Sequence, residues 1–588
     1  MNSLSPNANG LDAAAVQLGL QRVLASEAFS NAHTISDFLR YVVECRLERP
    51  DVTLKEYTIA VEVFGRGTDF DSDVDTIVRV SARRLRARLA LYYETTGRDD
   101  PVWISMPKGH YCAEITVRAA ADTVGVRTSS PAGAARPHIT ICVIPFANLS
   151  NDPEQQYFSD GITDDIITDL SKVAALGVTS PAAARGRDEM NVGRLARELG
   201  VSHVLSGSVR RDSGRVRISV RLTDAQTGNH VWAERYDRDL DDILALTGEI
   251  SQTVVNALKL ELLHEEKAAM ERHETDNLEA HNIYLMARQI YVTHLEIDAR
   301  ATRAYVRLSK RAVELDPNYA QAWALLAMGQ RGLHELGEQS NDGMLEAERA
   351  LALDPGMAEA YAVRAYILQV RGALDEAVVE ARVAMDLNRD SYEANRTMAR
   401  LAYQLHRFDE AVRYYEKATA LMEADLNSAM MLVSCHHAMD NPGAAHRAAL
   451  VVLQRADKVL ARDRTNPVII AYGANALAAL GEGERAKARM HRALLLDPDN
   501  WNMRYNFACA MNLYLKDGAG ALDLLDPLLD SISPAMLRYL TGDPDFATLR
   551  DNARFQAMLA RATARHAGNA AETPVAPRIE PAPGRPDP

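Results

Sequence analysis

The chain has 588 residues, 47% hydrophobic and 25% charged, with 66 Lys and Arg against 80 Asp and Glu and a formal net charge of −14. That length allows roughly three to five domains, and the acidic balance excludes a general affinity for nucleic acid, so any basic surface has to be local. Five cysteines (Cys45, Cys112, Cys142, Cys435 and Cys509) lie far apart with no CxxC pair and no histidine at zinc spacing, which fits thiols in a reducing compartment rather than a disulfide framework.

The first residues, MNSLSPNANG, lack both a basic n-region and an apolar h-region. No run approaches ~18 uninterrupted apolar residues, so no transmembrane helix is expected. A cytoplasmic protein with no membrane partner is the expectation. Helical patterns open the chain at VQLGLQRVLASEAF and ISDFLRYVVECRLE. Between Arg79 and Arg88 the sequence then reads RVSARRLRAR, with five arginines and no acidic residue. At ~100° per residue, Val78, Ala82, Leu85, Leu89 and Tyr92 share one helical face. Arg83 and Arg84 point away from it, with Arg79 and Arg86 on one flank and Arg88 on the other. Two β-patterned runs follow, VWISM and HYCAEITV, joined at PKG as a hairpin with Lys108 near its tip.

Helices, a basic helix and a hairpin in that order describe a winged helix-turn-helix, whose basic helix enters the major groove while the hairpin touches the backbone. RRLRARL with the later PKG-x-Y resembles the C-terminal half of response-regulator DNA-binding domains. LKEYTIAVEVFGR and DFDSDVDTIVRVSARRLR are also similar to a domain found ahead of repeat arrays in bacterial proteins. The resemblance implies a DNA-binding unit over residues 1–118, with Arg79, Arg83, Arg84, Arg86, Arg88 and Lys108 facing duplex DNA. Two other readings of the arginines stay open. They form a solvated face paired with Asp69, Asp71, Asp73 and Asp75, or a basic surface that docks protein.

Residues 119–137 are rich in Ala, Ser, Gly and Pro and read as a flexible linker. From 138 to 262 strand and helix patterns alternate: ITICVIPF, then GITDDIITDLSKV, then HVLSGSVRR, RVRISVRLTDA and HVWAERYDR, separated by the turn sequences DSG and QTGN, and a closing helix DDILALTGEISQTVVNAL. This α/β block strongly resembles the TolB-like (FlgO-like) domain through PFANLSNDPEQQYFSDGITDDIITDLSK, GVSHVLSGSVRR and TGNHVWAERYDRDLDDI. Its acidic clusters, Asp160, Asp164 and Asp165, then Asp237, Asp239, Asp241 and Asp242, sit at predicted helix starts, where carboxylates cap free amides rather than hold a metal.

Endings of the type small-x-x-Leu-Asp-Pro recur at Asp316, Asp354 and Asp497, with degenerate versions near Asn388, Met422 and Asp463. The prevailing 34-residue spacing is the tetratricopeptide period, and the longer intervals are ascribed to loop insertions. Trp323, Leu326, Ala327, Tyr361, Ala365, Ala377, Ala384, Met398, Ala399, Ala411, Tyr415 and Ala418 fall at the expected offsets, while Arg364 replaces the usual Leu. The block resembles tetratricopeptide proteins over residues 278–530, with a helical cap at 531–565 and a disordered Pro-rich tail at 566–588. The resemblance implies a solenoid whose concave face is lined by the first helix of each repeat. Here that selects Tyr366, Gln369, Arg396, Arg400 and Tyr403 for an extended acidic peptide or C-terminal carboxylate. The alternative is that these arginines only solubilise a surface between helices.

The fold class expected is therefore multidomain α+β: a winged helix-turn-helix-like domain, a central α/β TolB-like domain and an all-α tetratricopeptide solenoid. No phosphate loop, HExxH helix, GxSxG elbow or kinase signature appears, and His436-His437 cannot chelate one metal from adjacent helical positions. No catalytic residue, metal or cofactor is expected. TolB-like and tetratricopeptide modules together resemble the C-terminal part of bacterial class III adenylate cyclases, but the winged-helix-like unit occupies the place of the cyclase domain. The reading is a cytoplasmic transcriptional regulator that binds DNA and a protein partner. The alternatives are a non-catalytic interaction scaffold or an accessory component of adenylate cyclase-type signalling. Oligomeric state is not legible.

Overall fold

The computed structural model describes residues 13–117, 139–179 and 196–572, apart from short stretches inside them such as 71–74, 263–266, 268–273, 294–298, 336–340 and 533–536. The expected linker at 119–137 lies outside the described residues, as do Asp69, Asp71, Asp73 and residues 573–588. Contacts divide the chain into two units, residues 1–428 and 429–588.

The first unit opens with α1 (Ala13–Ala25) and α2 (Glu27–Ser30), one expected helix broken at Ser26. The Ser26 hydroxyl donates to the Val23 carbonyl at 2.5 Å, a local bond that competes with the helical ladder. Then come α3 (His33–Glu48), α4 (Glu56–Glu62) and the arginine helix α5 (Ile77–Glu94). Strands β1 (Val102–Ser105) and β2 (Glu114–Val117) pair antiparallel from Val102 opposite Val117 to Ser105 opposite Glu114. Lys108 stands in the connecting turn, beside Gly109 at φ +93°, a backbone angle that favours glycine.

Five strands form the central sheet in the order β5–β3–β6–β7–β8: β3 (Ile139–Val143), β5 (Leu176–Thr179), β6 (His203–Asp212), β7 (Arg215–Asp224) and β8 (His230–Asp239). The short β4 (Ala147–Asn148) pairs with β6. Pairing of β3 with β5 and with β6 is parallel, whereas β6–β7–β8 is an antiparallel meander. Val216, Ile218, Val220 and Leu222 alternate into the core, packed with α6 (Gln156–Ser171) and α7 (Ile243–Ala257). On the edge strand β8, Tyr236 is the buried large side chain and charged residues dominate the rest, as suits an exposed edge.

The solenoid follows as paired helices: α8 (Leu278–Thr293) with α9 (Ala299–Leu315), α10 (Ala320–Glu335) with α11 (Met344–Leu353), α12 (Ala358–Val370) with α13 (Leu374–Leu387), and α14 (Tyr392–Gln404) with α15 (Phe408–Leu421). This is a helical solenoid of tetratricopeptide type. Asp354, Asn388 and Met422 are the extended residues ending α11, α13 and α15, each with its amide bonded to an alanine carbonyl four residues back. Ala365, Ala377, Ala384, Ala399, Ala411 and Ala418 are fully buried, which lets the paired helices approach closely. Gly161 of α6 has the same use at the entry to the array. A Cβ there would lie 2.5 Å from Leu285 of α8.

The boundary between the units falls within α16 (Leu426–Ala438). The second unit continues the pattern with α17 (Pro442–Leu460), α18 (Pro467–Ala479), α19 (Gly483–Leu496), α20 (Trp501–Leu513) and α21 (Gly518–Leu529). A 3-10 turn (Pro544–Leu549) and α22 (Ala553–Glu572) close it, so helix runs into the segment expected to be disordered from 566. The two long intervals have different causes. One is an insertion, between α10 and α11. The other is not, because α17 is itself stretched to 19 residues against 14 in α15.

Candidate functional site

The arginine helix is not a one-sided helix. Its expected apolar face is buried, but so are Val80, Ala87 and Leu91 on another side, together with Arg88. Val80, Ala87 and Leu91 share one hydrophobic cluster with Val379 and Val383 of α13, so the solenoid covers the side of α5 expected to face DNA. Arg84, half-buried, pairs with Glu380 of α13 at 3.3 Å and lies 5.7 Å from the ring centroid of Tyr361. Glu380 also takes Arg364 at 2.7 Å. At the far end of α5, Glu94 receives Arg382 and Arg407, and Arg382 also donates to the Ala87 carbonyl. The hairpin lysine, Lys108, pairs with Asp386 at 2.9 Å.

The other arginines serve their own domain. Arg79 pairs with Glu56 at 3.1 Å, and Asp75, the described aspartate of the acidic run, binds Arg66 at 2.7 Å. Arg86 donates from Nε to the Met106 carbonyl at 2.7 Å and from Nη2 to the Pro107 carbonyl at 3.0 Å, which fixes the hairpin to the helix. Arg88 is 9% exposed and donates to the carbonyl of Ala28. Burial lowers the pKa of both Arg86 and Arg88, as desolvation of a cation must. Arg83 is half-buried and makes no ion pair among the described residues.

Sequence patterns held two signals of this seat. Val80, Arg84, Ala87 and Leu91 form a second stripe at helical spacing on α5. On α13, Val379 and Val383 are buried where the next repeat, 34 residues on, carries Arg413 and Lys417. Arg364, which departs from the repeat pattern, has its reason in Glu380.

Along the first helices of the repeats a second set of polar residues meets. Arg331 of α10 and Arg400 of α14 each place a guanidinium 4.2 Å from the ring centroid of Tyr366 on α12. Tyr366 and Arg400 are repeat equivalents 34 residues apart, whereas Arg331 corresponds to Gln369 at the 38-residue spacing of the preceding repeat. Tyr366 donates its hydroxyl to Glu335, and Arg331 binds the same carboxylate at 2.9 Å. Burial opposes ionisation of Glu335, but Arg331, Arg400 and Arg396 hold its pKa below the usual carboxylate range. Burial, then the carboxylate of Glu359, pushes the nearby Glu393 up to about 7.

The five expected peptide contacts are therefore only partly together. Tyr366 and Arg400 join. Gln369 donates to Gln404 at 2.7 Å, Arg396 lies 3.8 Å from the buried Asp425, and Tyr403 packs edge-on against Phe408 with centroids 5.5 Å apart. Arg331 and Glu335 were missed; the same first-helix rule applied one repeat earlier, at the 38-residue spacing, selects Arg331 as the equivalent of Gln369 but not Glu335.

Of the acidic clusters of the sheet block, Asp239 and Asp242 stand at the N-cap positions of a 3-10 turn (Leu240–Asp242) and of α7, without a side-chain capping hydrogen bond, while Asp160, Asp164, Asp165 and Asp237 lie inside elements. Helix α6 begins at Gln156, so Asp160, Asp164 and Asp165 lie within it. Asp164 pairs with Arg288 at 3.0 Å and Asp165 with His281 at 3.3 Å, both on α8, which joins the block to the solenoid. Asp237 lies in β8 and is clasped by Arg215 and Arg217. In the second unit, Cys509, Asp543 and Asp545 offer ligand atoms within 4.8 Å of one another. Tyr505 already bonds Asp543, and burial and then Asp543 raise the Asp545 carboxyl to about 7. No described helix is long and apolar enough to cross a membrane.

No family model matches the chain. A stretch of 192 residues is 44% identical to the "Putative adenylate cyclase 3" of Rhizobium meliloti (strain 1021) and covers 32% of each chain. The chain thus spans 32% of the length of the curated relative it matches. Among solved structures, Pseudomonas aeruginosa PilF is 18% identical at a TM-score of 0.26, covering 38% of this chain and 97% of that one. YrrB, a TPR protein with an unusual peptide-binding site, is 17% identical at a TM-score of 0.21, over 35% and 97% respectively.

Proposed function

We propose that this chain is a non-catalytic interaction protein whose solenoid takes an extended acidic segment of a protein partner along α10, α12 and α14. The observation that supports this is Glu335, a carboxylate held by Arg331 and Tyr366 within the field of Arg396 and Arg400. An arrangement that already stabilises one carboxylate suits another, since charge-assisted forks and a flat aromatic face favour acidic, extended ligands. Affinity capture with the tagged full chain, compared with its Arg331→Glu plus Arg400→Glu variant, tests it. Selective loss of acidic partners at unchanged helicity supports the groove. Retention of every partner places the interaction elsewhere.

A second reading keeps DNA binding through α5 and the β1–β2 hairpin, with Arg83 and Lys108 as phosphate contacts. Its support is the order of helices and hairpin, together with Arg83 lacking an ion pair among the described residues. Arg86 and Arg88 drop out of this list, because they hold the domain together. The test is duplex binding against salt. Arg83→Ala plus Lys108→Ala is expected to reduce the log–log slope by about 2, and an unchanged slope removes this reading.

A further inference from the structure

The contact between α5 and the solenoid has the composition of a reversible interface. Its centre is small and apolar: Val80, Ala87 and Leu91 on α5, Val379 and Val383 on α13. Its rim is charged in both senses. Arg84 and Lys108 meet Glu380 and Asp386, while Glu94 meets Arg382 and Arg407. The signs alternate along α13, from Glu380 to Arg382 to Asp386, and so fix register, as at a specific protein–protein interface. Carboxylates of α13 thus stand where phosphates would stand against Arg84 and Lys108.

We propose that α13 is a latch: it holds the arginine helix against the solenoid, and its release hands Arg83, Arg84 and Lys108 to duplex DNA. This rests on the second reading above. Helix α12 links the latch to the groove, because Tyr361 and Arg364 touch Arg84 and Glu380 while Tyr366, five residues after Tyr361, lies between the repeat arginines. A partner seated in the groove and the latch therefore act on one rigid helix, which is the physical requirement for coupling them.

The test is Val379→Glu plus Val383→Glu in the full chain. The next repeat carries Arg413 and Lys417 at these positions, so the repeat itself accepts polar side chains there. The substitution adds negative charge, and a gain in DNA affinity cannot come from the new residues. Two quantities are read: hydrogen exchange over residues 77–94, and anisotropy of a labelled random 20-base-pair duplex at low salt. The latch predicts exchange at least tenfold faster in α5, and duplex binding at least tenfold tighter than the parent. Unchanged exchange in α5 overturns the latch. Faster exchange without tighter duplex binding overturns release to DNA and with it the second reading. Should the variant lose helicity, exchange of the parent at 0.05 and 0.5 M NaCl decides. Selective acceleration of α5 at high salt supports the latch, and a uniform response overturns it.

Discussion

Arg84 of α5 and Glu380 of α13 meet at 3.3 Å, with Arg364 closing on the same carboxylate at 2.7 Å. Glu380 is 5% exposed, so its charge is tolerable only while a guanidinium group faces it. Glu380→Ala leaves two arginines facing each other without a counter-charge. Its expected cost is about 2–3 kcal/mol, below the fully buried range because Arg84 keeps contact with water. Arg84→Ala is expected to cost less, since Arg364 remains. Urea unfolding of the two single variants and the double variant checks this, and the double is expected to fall well short of the sum.

The Arg331–Tyr366–Arg400 stack gives a graded prediction. Tyr366→Phe keeps the ring and loses one bond to Glu335, at a cost of about 1–2 kcal/mol. Tyr366→Leu also removes both cation–ring contacts, each worth about 1–2 kcal/mol on a ring that is 6% exposed. Thermal unfolding should rank parent above Phe above Leu. Equal values for Phe and Leu would mean the stack contributes nothing.

Much of the architecture follows from local patterns, because periodicity and turn chemistry are local. The 34-residue endings mark true helix ends at Asp354, Asn388 and Met422, and the DSG and QTGN turns separate true strands. The expectations that failed concern which surface meets which. Val80, Ala87 and Leu91 look like incidental apolar residues until Val379 and Val383 supply a partner from another domain. Asp164 and Asp165 look like helix caps until α8 brings Arg288 and His281. A charged side chain is equally compatible with water, DNA or a distant carboxylate, and only tertiary placement chooses. Arg84 and Arg364 are such cases.

Turn positions 34 residues apart adopt positive φ at Gly372 and His406. For histidine at φ 57° this conformation costs roughly 1 kcal/mol relative to glycine. Some of that gain is lost to the greater chain entropy of glycine. His406→Gly is expected to stabilise the first unit by about 0.5 kcal/mol, read as a higher urea midpoint. A lower midpoint would show that the His406 ring, stacked edge-on with Phe408, outweighs the backbone term.

Burial and the neighbouring Glu359 raise the Glu393 carboxyl from its ordinary 4.5 to about 7. The folded chain then binds more protons than the unfolded one across that window, so stability falls as pH rises from about 4.5 to about 7 and levels off above. Glu393→Gln removes this dependence. Its expected signature is a flatter stability profile over that window and a gain over the parent at pH 8. Parallel profiles would place the carboxyl in a more solvated state.

The claim that carries the functional account is that the repeat arginines hold an acidic segment. Calorimetric titration of the full chain with a synthetic decapeptide of alternating Glu and Asp, containing one Tyr, measures it directly. The account predicts saturable binding that weakens at least tenfold in Arg331→Glu plus Arg400→Glu, while a Lys-substituted peptide does not bind. Equal affinity in the parent and the double variant, or no difference between the acidic and basic peptides, would contradict it.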